Sequence, residues 1–264
     1  MRSPDPLISL VIPVLNEARN LEVVLPALPP VHQVILVDGH SVDDSVEVAK
    51  RLLPDIEVVT QTRGGKGNAM ACGFAKVTGD VVVMFDADGS AAPEEIPLFA
   101  KTLVAGADFA KGSRFAQGGG SDDITILRKS GNAMLNGVTN VLLRTRFTDL
   151  CYGYNAFWAD VIPVLGLPPT DLAPEAGRQW GDGFEIETLI NCRIALAGLR
   201  ITEVPSFERD RLHGTSNLDT FRDGIRVLRV ILGEYARSRR ARRGRGRSKP
   251  GEAAESGLGR AVRS

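Results

Sequence analysis

The chain has 264 residues, of which 43% are hydrophobic and 24% charged, as expected of a folded protein with a sizeable core. Its formal net charge is zero, but residues 237–264 carry ten Lys or Arg and two Glu, so a basic tail follows an acidic body. No apolar stretch is long enough to cross a bilayer, and we see no signal-peptide segment. Three widely spaced cysteines argue against a disulfide framework and predict a reducing cytoplasm.

The first third of the chain alternates apolar runs with loops and helical periodicity. The predicted strands are residues 7–12, 34–37, 56–60 and 81–85, with helices in each of the three intervals. Because each helix returns the chain to the same direction, this order predicts an α/β fold. The expected form is a Rossmann-like, mostly parallel central sheet flanked by helices.

The fourth apolar run ends in Asp86-Ala87-Asp88-Gly89. The run lacks polar alternation, which is typical of a buried parallel strand, so its acids should emerge at the carboxyl edge of the sheet, where such folds bind ligands. Two carboxylates there suit a divalent cation that already carries phosphate. A turn capped by aspartates is the simpler alternative.

A glycine-rich, basic segment at residues 63–69 opens the third helix, which is predicted to reach about Val77. Backbone amides and Lys66 at a helix start can hold an anion. The segment matches neither the Walker A motif nor Gly-x-Gly-x-x-Gly, so the signatures of nucleoside triphosphatases and dinucleotide-dependent dehydrogenases are missing.

The second half is predicted less regularly. Helices are expected at 93–104, 124–143 and from about 182 to 197, and strands at 108–111 and 199–204, with 163–176 as loop. Residues 118–123 contain three glycines and two aspartates, so we expect a mobile segment that is either a lid or a surface linker.

A last helix is predicted at about residues 218–237. It would place Phe221, Ile225, Leu228, Leu232 and Tyr235 on one face, packed on the domain or, alternatively, lying on a membrane surface. The tail, 238–264, has too little apolar content to fold and should be disordered. Anionic lipid would attract it, whereas nucleic acid is not expected because no aromatic residues are interleaved for base stacking.

Five motifs follow one another in a characteristic order. They are residues 13–17, 38–45, 65–67, 86–88, and finally 182–187 with 209–216. This combination resembles the family 2 glycosyltransferases of GT-A fold, and among them the dolichol-phosphate and polyprenyl-phosphate mannosyl- and glucosyltransferases. The resemblance extends over about residues 7–217. It implies a GT-A catalytic domain at 1–217, an amphipathic helix at 218–237 and a disordered Arg-rich tail at 238–264.

The resemblance implies a donor site for a nucleotide-diphosphate sugar. Glu17 and Asp38 would contact the base or ribose, and Asp86 and Asp88 would hold Mg²⁺ or Mn²⁺ on the diphosphate. The implied donor residues are Pro13, Asn16, Glu17, Asp38, Ser41, Lys66, Gly67, Asp86, Ala87, Asp88 and Ser216.

It also implies an acceptor site. Arg114 and Arg128 would receive an acceptor phosphate, and Asp149, Gly153 and Tyr154 would face the sugar.

The implied catalytic residues are Asp88, Arg209 and one of two glutamates. A metal with Lys66 and Arg209 would stabilise the departing diphosphate. A lipid phosphate acceptor is already ionised and needs positioning, whereas a hydroxyl acceptor needs a general base, for which Glu185 and Glu187 are the candidates. On a helix these two project in different directions, so we expect only one to face the site.

Two positions depart from the family pattern. The usual Val-Asp-Asp-Gly-Ser-x-Asp loop has Gly39 in place of its second acid, and Ser90 replaces a Gln that is a metal ligand in many lipid-phosphate mannosyltransferases. Donor choice therefore stays open between GDP- and UDP-sugars.

The implied activity is metal-dependent, inverting transfer of mannose or glucose to a polyprenyl phosphate. The enzyme would be cytoplasmic and peripheral on the inner face of the cell membrane, with contact through its basic C-terminal segment. Alternatives are transfer to a soluble hydroxyl acceptor, and an inactive module that binds a nucleotide sugar or a lipid.

Overall fold

The computed structural model describes residues 2–172, 176–214 and 220–245. The strands are β1 (Ile8–Val14), β2 (Gln33–Asp38), β3 (Glu57–Thr60), β4 (Val81–Met84), β5 (Phe109–Ser113), β6 (Gly120–Ser121), β7 (Asn155–Trp158), β8 (Ile201–Pro205) and β9 (Phe207–Glu208). The α-helices are α1 (Ala18–Val24), α2 (Ser45–Leu52), α3 (Lys66–Phe74), α4 (Ile96–Val104), α5 (Ile126–Leu143), α6 (Ile162–Leu165), α7 (Ile186–Leu196) and α8 (Thr220–Arg245). Short 3₁₀ turns lie at Leu25–Ala27, Pro93–Glu95 and Ala159–Val161.

Seven strands form one sheet in the order β3-β2-β1-β4-β7-β5-β8. The first four pair in parallel, as do β5 and β8, which confirms the predicted mostly parallel α/β sheet. Strand β7 runs antiparallel to both β4 and β5. The residues that precede β7 therefore lie at the same edge of the sheet as the residues that follow β1 to β4.

The core follows from the apolar strands. Residues Leu10, Ile35 and Val82 have no exposed surface, as expected when helices cover both faces of a parallel sheet. A second, smaller cluster joins α5, α7 and α8 through Leu135, Cys192, Ile231 and their neighbours. Helix α8 is therefore part of the folded body.

The last helix differs from its prediction in length. It continues to Arg245, so residues 238–245, expected to be disordered, are helical, while 246–264 lie outside the described residues.

The packed face of α8 differs as well. It is formed by Val227, Val230 and Ile231, whereas Ile225 and Leu232 are about half exposed. The buried carboxylate of Glu234 holds this orientation, since it accepts hydrogen bonds from Trp180 Nε1 at 3.1 Å and from Arg193 Nε at 3.3 Å.

Two segments predicted to be irregular contain short elements. Gly120 and Ser121, within the segment expected to be mobile, pair in parallel with Phe207 and Glu208. Backbone pairing to a second strand therefore anchors that segment. The predicted loop at 163–176 overlaps α6, and 173–175 lie outside the described part of the chain.

Candidate active site

A cavity of about 870 Å³ opens at the carboxyl edge of strands β1 to β4. One end is polar and is built by the loops that follow these strands. The other end is largely apolar and is built by α5, α8 and the residues before α7. Its apolar lining side chains are Ile124, Leu127, Met134, Leu135, Phe184, Ile225 and Val227, and the polar residues Asp123, Arg128, Asn132 and Asp223 line the cavity from the same elements. Arg114 also lines the cavity.

Ten residues predicted for the site line this cavity. They are Pro13, Glu17, Lys66, Asp86, Ala87, Asp88, Arg114, Arg128, Gly153 and Glu187. Seven others, Asn16, Asp38, Ser41, Gly67, Asp149, Tyr154 and Glu185, lie behind or beside the wall, Arg209 lies outside it, and Ser216 lies beyond the described residues.

Lys66 joins two carboxylates at the polar end. Its Nζ lies 2.7 Å from Asp86 Oδ1 and 2.7 Å from Glu187 Oε1. Burial lowers the pKa of Lys66, but the two carboxylates more than offset burial and raise this pKa above its usual range. A Cβ on Gly153 would lie 3.3 Å from both Asp86 Oδ2 and Glu187 Oε1, so glycine leaves room for this cluster.

The glycines around Lys66 allow close backbone packing. A Cβ on Gly65, whose φ is 120°, would lie 2.1 Å from the Asp182 carbonyl oxygen, and one on Gly67 would lie 1.8 Å from the Gly181 carbonyl oxygen. The amides of Gly67 and Asn68 donate to Asp182 O at 2.9 and 3.3 Å. These two amides are therefore used inside the protein, and Gly67 is not among the lining residues.

Glu187, and not Glu185, faces the cavity. Glu187 is 6% exposed and belongs to the Lys66 cluster. Glu185, at the N-cap position of α7, lies 3.8 Å from Arg178 and does not line the cavity. The expectation that only one of the pair faces the site is met by Glu187, and the assignment of Glu185 is corrected.

Asp88 is held from two sides. Its Oδ1 accepts hydrogen bonds from Ser90 N at 2.9 Å and Ser90 Oγ at 2.7 Å, while Oδ2 lies 2.7 Å from Arg211 Nη2. Arg211 Nη1 also lies 3.5 Å from Glu17 Oε1. Burial raises the pKa of Glu17, while Asn20 and Arg211 oppose the rise.

The structure places Arg209 outside the cavity and Arg211 at its wall. Arg209 pairs with Glu94 in an exposed position outside the cavity, and it is Arg211, two residues later, that lines the cavity. The backbone explains this placement. Arg209 N donates to Ser90 O, and Leu212 N donates to Asp88 O, so this segment lies against the acidic turn. The side chain of Arg211 therefore points at that turn.

The loops after β1 and β2 hold each other. Asp38 accepts from its own loop, at 3.2 Å from His40 N and 3.1 Å from Ser41 N. Asn16 has a φ of 58°. Its backbone N–H donates to Ser41 Oγ, and its side-chain Oδ1 accepts from Val42 N. Asn16, Asp38 and Ser41 therefore shape the cavity wall and are not among its lining residues, while their predicted contact with a donor stays a prediction.

Arg114 is fixed by a buried carboxylate. Its Nε and Nη2 donate to Asp149 at 2.7 and 2.9 Å, and its Nη1 donates to Glu208 at 2.9 Å. Burial lowers the pKa of Arg114, but these partners raise it overall. Asp149 has no exposed surface, so it positions Arg114 and does not touch a sugar. Tyr154 is also a core residue, whose hydroxyl donates to Ala92 O.

Comparison with known proteins identifies the family. The family model described as "Glycosyl transferase family 2" matches residues 9–162. The chain belongs to glycosyl transferase family 2. A polyprenol monophosphomannose synthase of Mycolicibacterium smegmatis is 29% identical over 249 residues, 90% of this chain and 89% of the relative. An undecaprenyl-phosphate mannosyltransferase of Micrococcus luteus is 31% identical over 230 residues, 83% of this chain and 90% of the relative.

Solved structures show the same GT-A fold for this glycosyltransferase. Glucosyl-3-phosphoglycerate synthase from Mycobacterium tuberculosis, in complex with Mn²⁺, UDP and glucosyl-3-phosphoglycerate, superposes with a TM-score of 0.63. The two chains are 22% identical, and the match covers 88% of this chain and 80% of the other. At this identity the likeness establishes architecture only.

The acidic turn of the glycosyltransferase fits a divalent cation. Asp86 and Asp88 both present carboxylates to the cavity. Within 2–172, 176–214 and 220–245 no three acidic, His or Cys side chains form a metal cluster. Mg²⁺ in nucleotide enzymes is typically held by one or two carboxylates together with substrate phosphates, so two carboxylates are a sufficient protein contribution.

Arg211, Tyr152, Asn132 and Gln61 are among the lining residues that were not predicted from the sequence. Arg211 was signalled by the Arg-x-Arg spacing at 209–211, and Tyr152 lies beside the predicted Gly153. Asn132, one helical turn after Arg128, donates to Asp149 at 3.0 Å. Gln61, directly after β3, carried no sequence signal, because a single glutamine at a strand end is common.

No helix in the described part of the chain is long and apolar enough to cross a membrane.

Proposed function

We propose that this glycosyltransferase moves a hexose, mannose or glucose, from a GDP- or UDP-sugar to a polyprenyl phosphate, with inversion, at the cytoplasmic face of a membrane. The observation that carries the proposal is the two-ended cavity: acidic residues at one end, apolar helices at the other, and Arg114 and Arg128 among the lining residues. The names of the two relatives, which specify phosphorylated polyprenol acceptors, support it.

At the donor end, Asp86 and Asp88 would hold Mg²⁺ or Mn²⁺, which supplies positive charge to the leaving diphosphate. Lys66 fixes the carboxylate of Asp86, and Arg211 already contacts Asp88. Both cations lie where negative charge would develop on the diphosphate, so they would add to its stabilisation in a partly buried site.

At the acceptor end, the lining suits a charged head on an apolar chain. Arg114, fixed by Asp149 and Glu208, presents a preorganised guanidinium to a phosphate. The walls of α5 and α8 would take the isoprenoid units. Because a phosphate oxygen is already ionised, positioning it replaces deprotonation as the requirement for attack.

The test supplies purified enzyme and Mn²⁺ or Mg²⁺ with labelled GDP-mannose, GDP-glucose or UDP-glucose and a polyprenyl phosphate, and follows label into the organic phase. We expect label there only with added metal. Metal-dependent release of GDP or UDP without lipid label, together with a deep loss of that release in Glu187→Gln, would instead indicate a hydroxyl acceptor.

A further inference from the structure

Helix α5 turns an uncharged, largely apolar face outward. Its residues Ile126, Leu127, Met134 and Val141 are exposed by 86, 53, 60 and 79%. At 3.6 residues per turn these four fall within a stripe about 100° wide. Surface helices normally carry charged residues on the outward side, and contiguous exposed apolar side chains mark interaction surfaces.

The charges on α5 and on the three residues after it are all positive, although Asp122 and Asp123 lie just before the helix and Asp123 pairs with Arg128. Residues 124–146 include no Asp or Glu, although the body of the protein is acidic. The exposed cations Lys129, Arg144 and Arg146 lie at the two ends of the helix. An apolar stripe flanked by cations is complementary to a bilayer that contains anionic lipid.

The stripe continues into the cavity. Leu127 and Met134 are exposed on α5 and also line the apolar end, and half-exposed Ile225 of α8 lines it too. A lipid chain can thus pass from the outer face of α5 into the cavity along apolar side chains.

We propose that the outward face of α5 is the membrane-docking surface of this enzyme and lies on an anionic bilayer with Ile126, Met134 and Val141 in the headgroup region. The purpose of docking rests on the proposed lipid acceptor, but docking itself is measurable without transfer. The phosphate of the polyprenyl acceptor would then reach Arg128 on the first turn of α5. Its isoprenoid chain would stay among the apolar side chains of the helix face and the cavity.

The experiment measures flotation of the full-length protein with phosphatidylglycerol–phosphatidylcholine vesicles. The double variant Ile126→Glu/Val141→Glu should lower the partition constant about tenfold or more, because two apolar side chains that would enter the headgroup region become charged. The matched control Val23→Glu, on α1 with 52% exposure, should bind like wild type. Transfer to a short prenyl phosphate in detergent should be retained, and only transfer in vesicles should fall.

Two results would overturn docking through α5. One is vesicle binding by the double variant at the wild-type level. The other is a wild-type dimer that becomes a monomer in the double variant, measured by light scattering, which would assign the face to a second copy. If vesicle binding behaves as expected but wild type labels no lipid phosphate, the proposed acceptor is wrong and the docking surface stands.

A second inference concerns Gln61, which is 8% exposed and lines the polar end of the cavity. Its backbone amide donates to Asp38 O at 3.0 Å, but its side-chain amide makes no hydrogen bond to any residue that the structure describes. The side chain is nine-tenths buried, and its free amide faces the cavity, so it is placed to meet a bound ligand.

The position of Gln61 indicates which part of the ligand it meets. It follows β3, and β3 is three strand spacings from β4 and the acidic turn, about 14 Å. A nucleotide whose diphosphate lies at Asp86 and Asp88 would extend its base in this direction. A Cβ on Gly39 would lie 3.5 Å from Gln61 Nε2, so glycine there keeps the amide accessible.

We infer that Gln61 reads the nucleobase. Its carboxamide offers a donor beside an acceptor, which can pair with the adjacent donor and acceptor groups on the edge of a nucleobase. This role rests on the proposed nucleotide-sugar donor and names the residue that selects its base.

Calorimetric titration with UDP, GDP, CDP and ADP in Mn²⁺ tests this role. Gln61→Leu should weaken the preferred nucleotide about tenfold or more, because a polar base edge loses its partners. The less favoured nucleotides should change little, so the discrimination ratio collapses. Exposed Gln117→Leu is the control. Equal weakening for all four nucleotides, or no weakening, would overturn base reading; failure of wild type to bind any nucleotide would instead contradict the proposed donor.

Discussion

The two ends of the cavity are built by different means. At the donor end, Lys66, Asp86, Asp88 and Glu187 are bound to one another or to neighbours by short polar contacts. At the acceptor end, α5 and α8 present apolar side chains, several of which are half exposed. Fixed charged groups suit a nucleotide diphosphate, because preorganised groups stabilise the charge that develops on it in the transition state. An apolar wall can accommodate a long hydrocarbon chain, because apolar contacts do not depend strongly on direction.

The largest effect should follow from removing a carboxylate of the acidic turn. Asp88→Asn keeps the shape and the Ser90 contacts but halves the anionic donor set, so we expect kcat/KM to fall about a thousandfold. Steady-state transfer at several Mn²⁺ concentrations measures it, and exposed Asp55→Asn is the control. Near-normal transfer by Asp88→Asn would remove the acidic turn from the mechanism.

A buried ion pair should be less tolerant of substitution than an exposed one. Arg63 donates to Asp182 through two bonds, 2.9 and 3.0 Å, and both residues are buried. Arg63→Met leaves a buried carboxylate uncompensated and should cost about 3–5 kcal/mol in urea unfolding. The exposed pair Arg51–Glu22 gives the control, since Arg51→Met should cost less than about 1 kcal/mol. Equal losses of unfolding free energy in the two variants would contradict the expectation that a buried ion pair costs more to break than an exposed one.

A buried lysine beneath Arg114 predicts a pH dependence. Burial lowers the pKa of Lys111 to about 8, while its Nζ donates to the carbonyls of Gly112 and Tyr152. Because the unfolded chain holds this proton up to about pH 10.4, stability should rise as pH increases from about 8 toward 10. The rise should disappear in Lys111→Met, which urea midpoints at several pH values would show. A rise of the same size in the variant would assign it to other groups.

Two glycine-to-alanine substitutions, one beside the Lys66 cluster and one on α5, give the smallest expected effects. Gly153→Ala places a Cβ 3.3 Å from Asp86 Oδ2 and Glu187 Oε1, and displacement of these groups should lower kcat about 10- to 100-fold. Gly137→Ala, on α5, meets nothing within 4 Å and should stabilise the helix by about 0.5–1 kcal/mol with unchanged kcat. Unchanged kcat in Gly153→Ala would contradict a tightly packed donor end.

The sequence predicted the first four strands and the acidic turn well, because buried parallel strands leave continuous apolar runs and their ends carry polar motifs. It placed Glu17, Lys66 and Asp88 at one cavity on the strength of motif order. It did not predict that Gly67 serves backbone packing on Asp182, that Asp149 supports Arg114 from behind, or that Arg211 and not Arg209 lines the cavity. These outcomes depend on which neighbour lies within a few ångströms, and residue spacing does not encode that.

Helix α8 shows the same limit. Its periodicity was recognised, but the packed face depends on Trp180 and Arg193, which reach Glu234 from elsewhere in the chain. The exposed stripe on α5 was equally hidden, since an apolar helix is expected to be buried until the fold shows which side is covered.

A competition between two phosphate acceptors tests the central claim most directly. Enzyme, Mn²⁺ and labelled GDP-mannose or UDP-glucose would be offered an equimolar mixture of polyprenyl phosphate and 3-phosphoglycerate, the latter chosen because the structural neighbour is a glucosyl-3-phosphoglycerate synthase. The account predicts label in the lipid phosphate and almost none in the water-soluble product. Label that enters phosphoglycerate while the lipid stays unlabelled would contradict an acceptor end built for a polyprenyl chain.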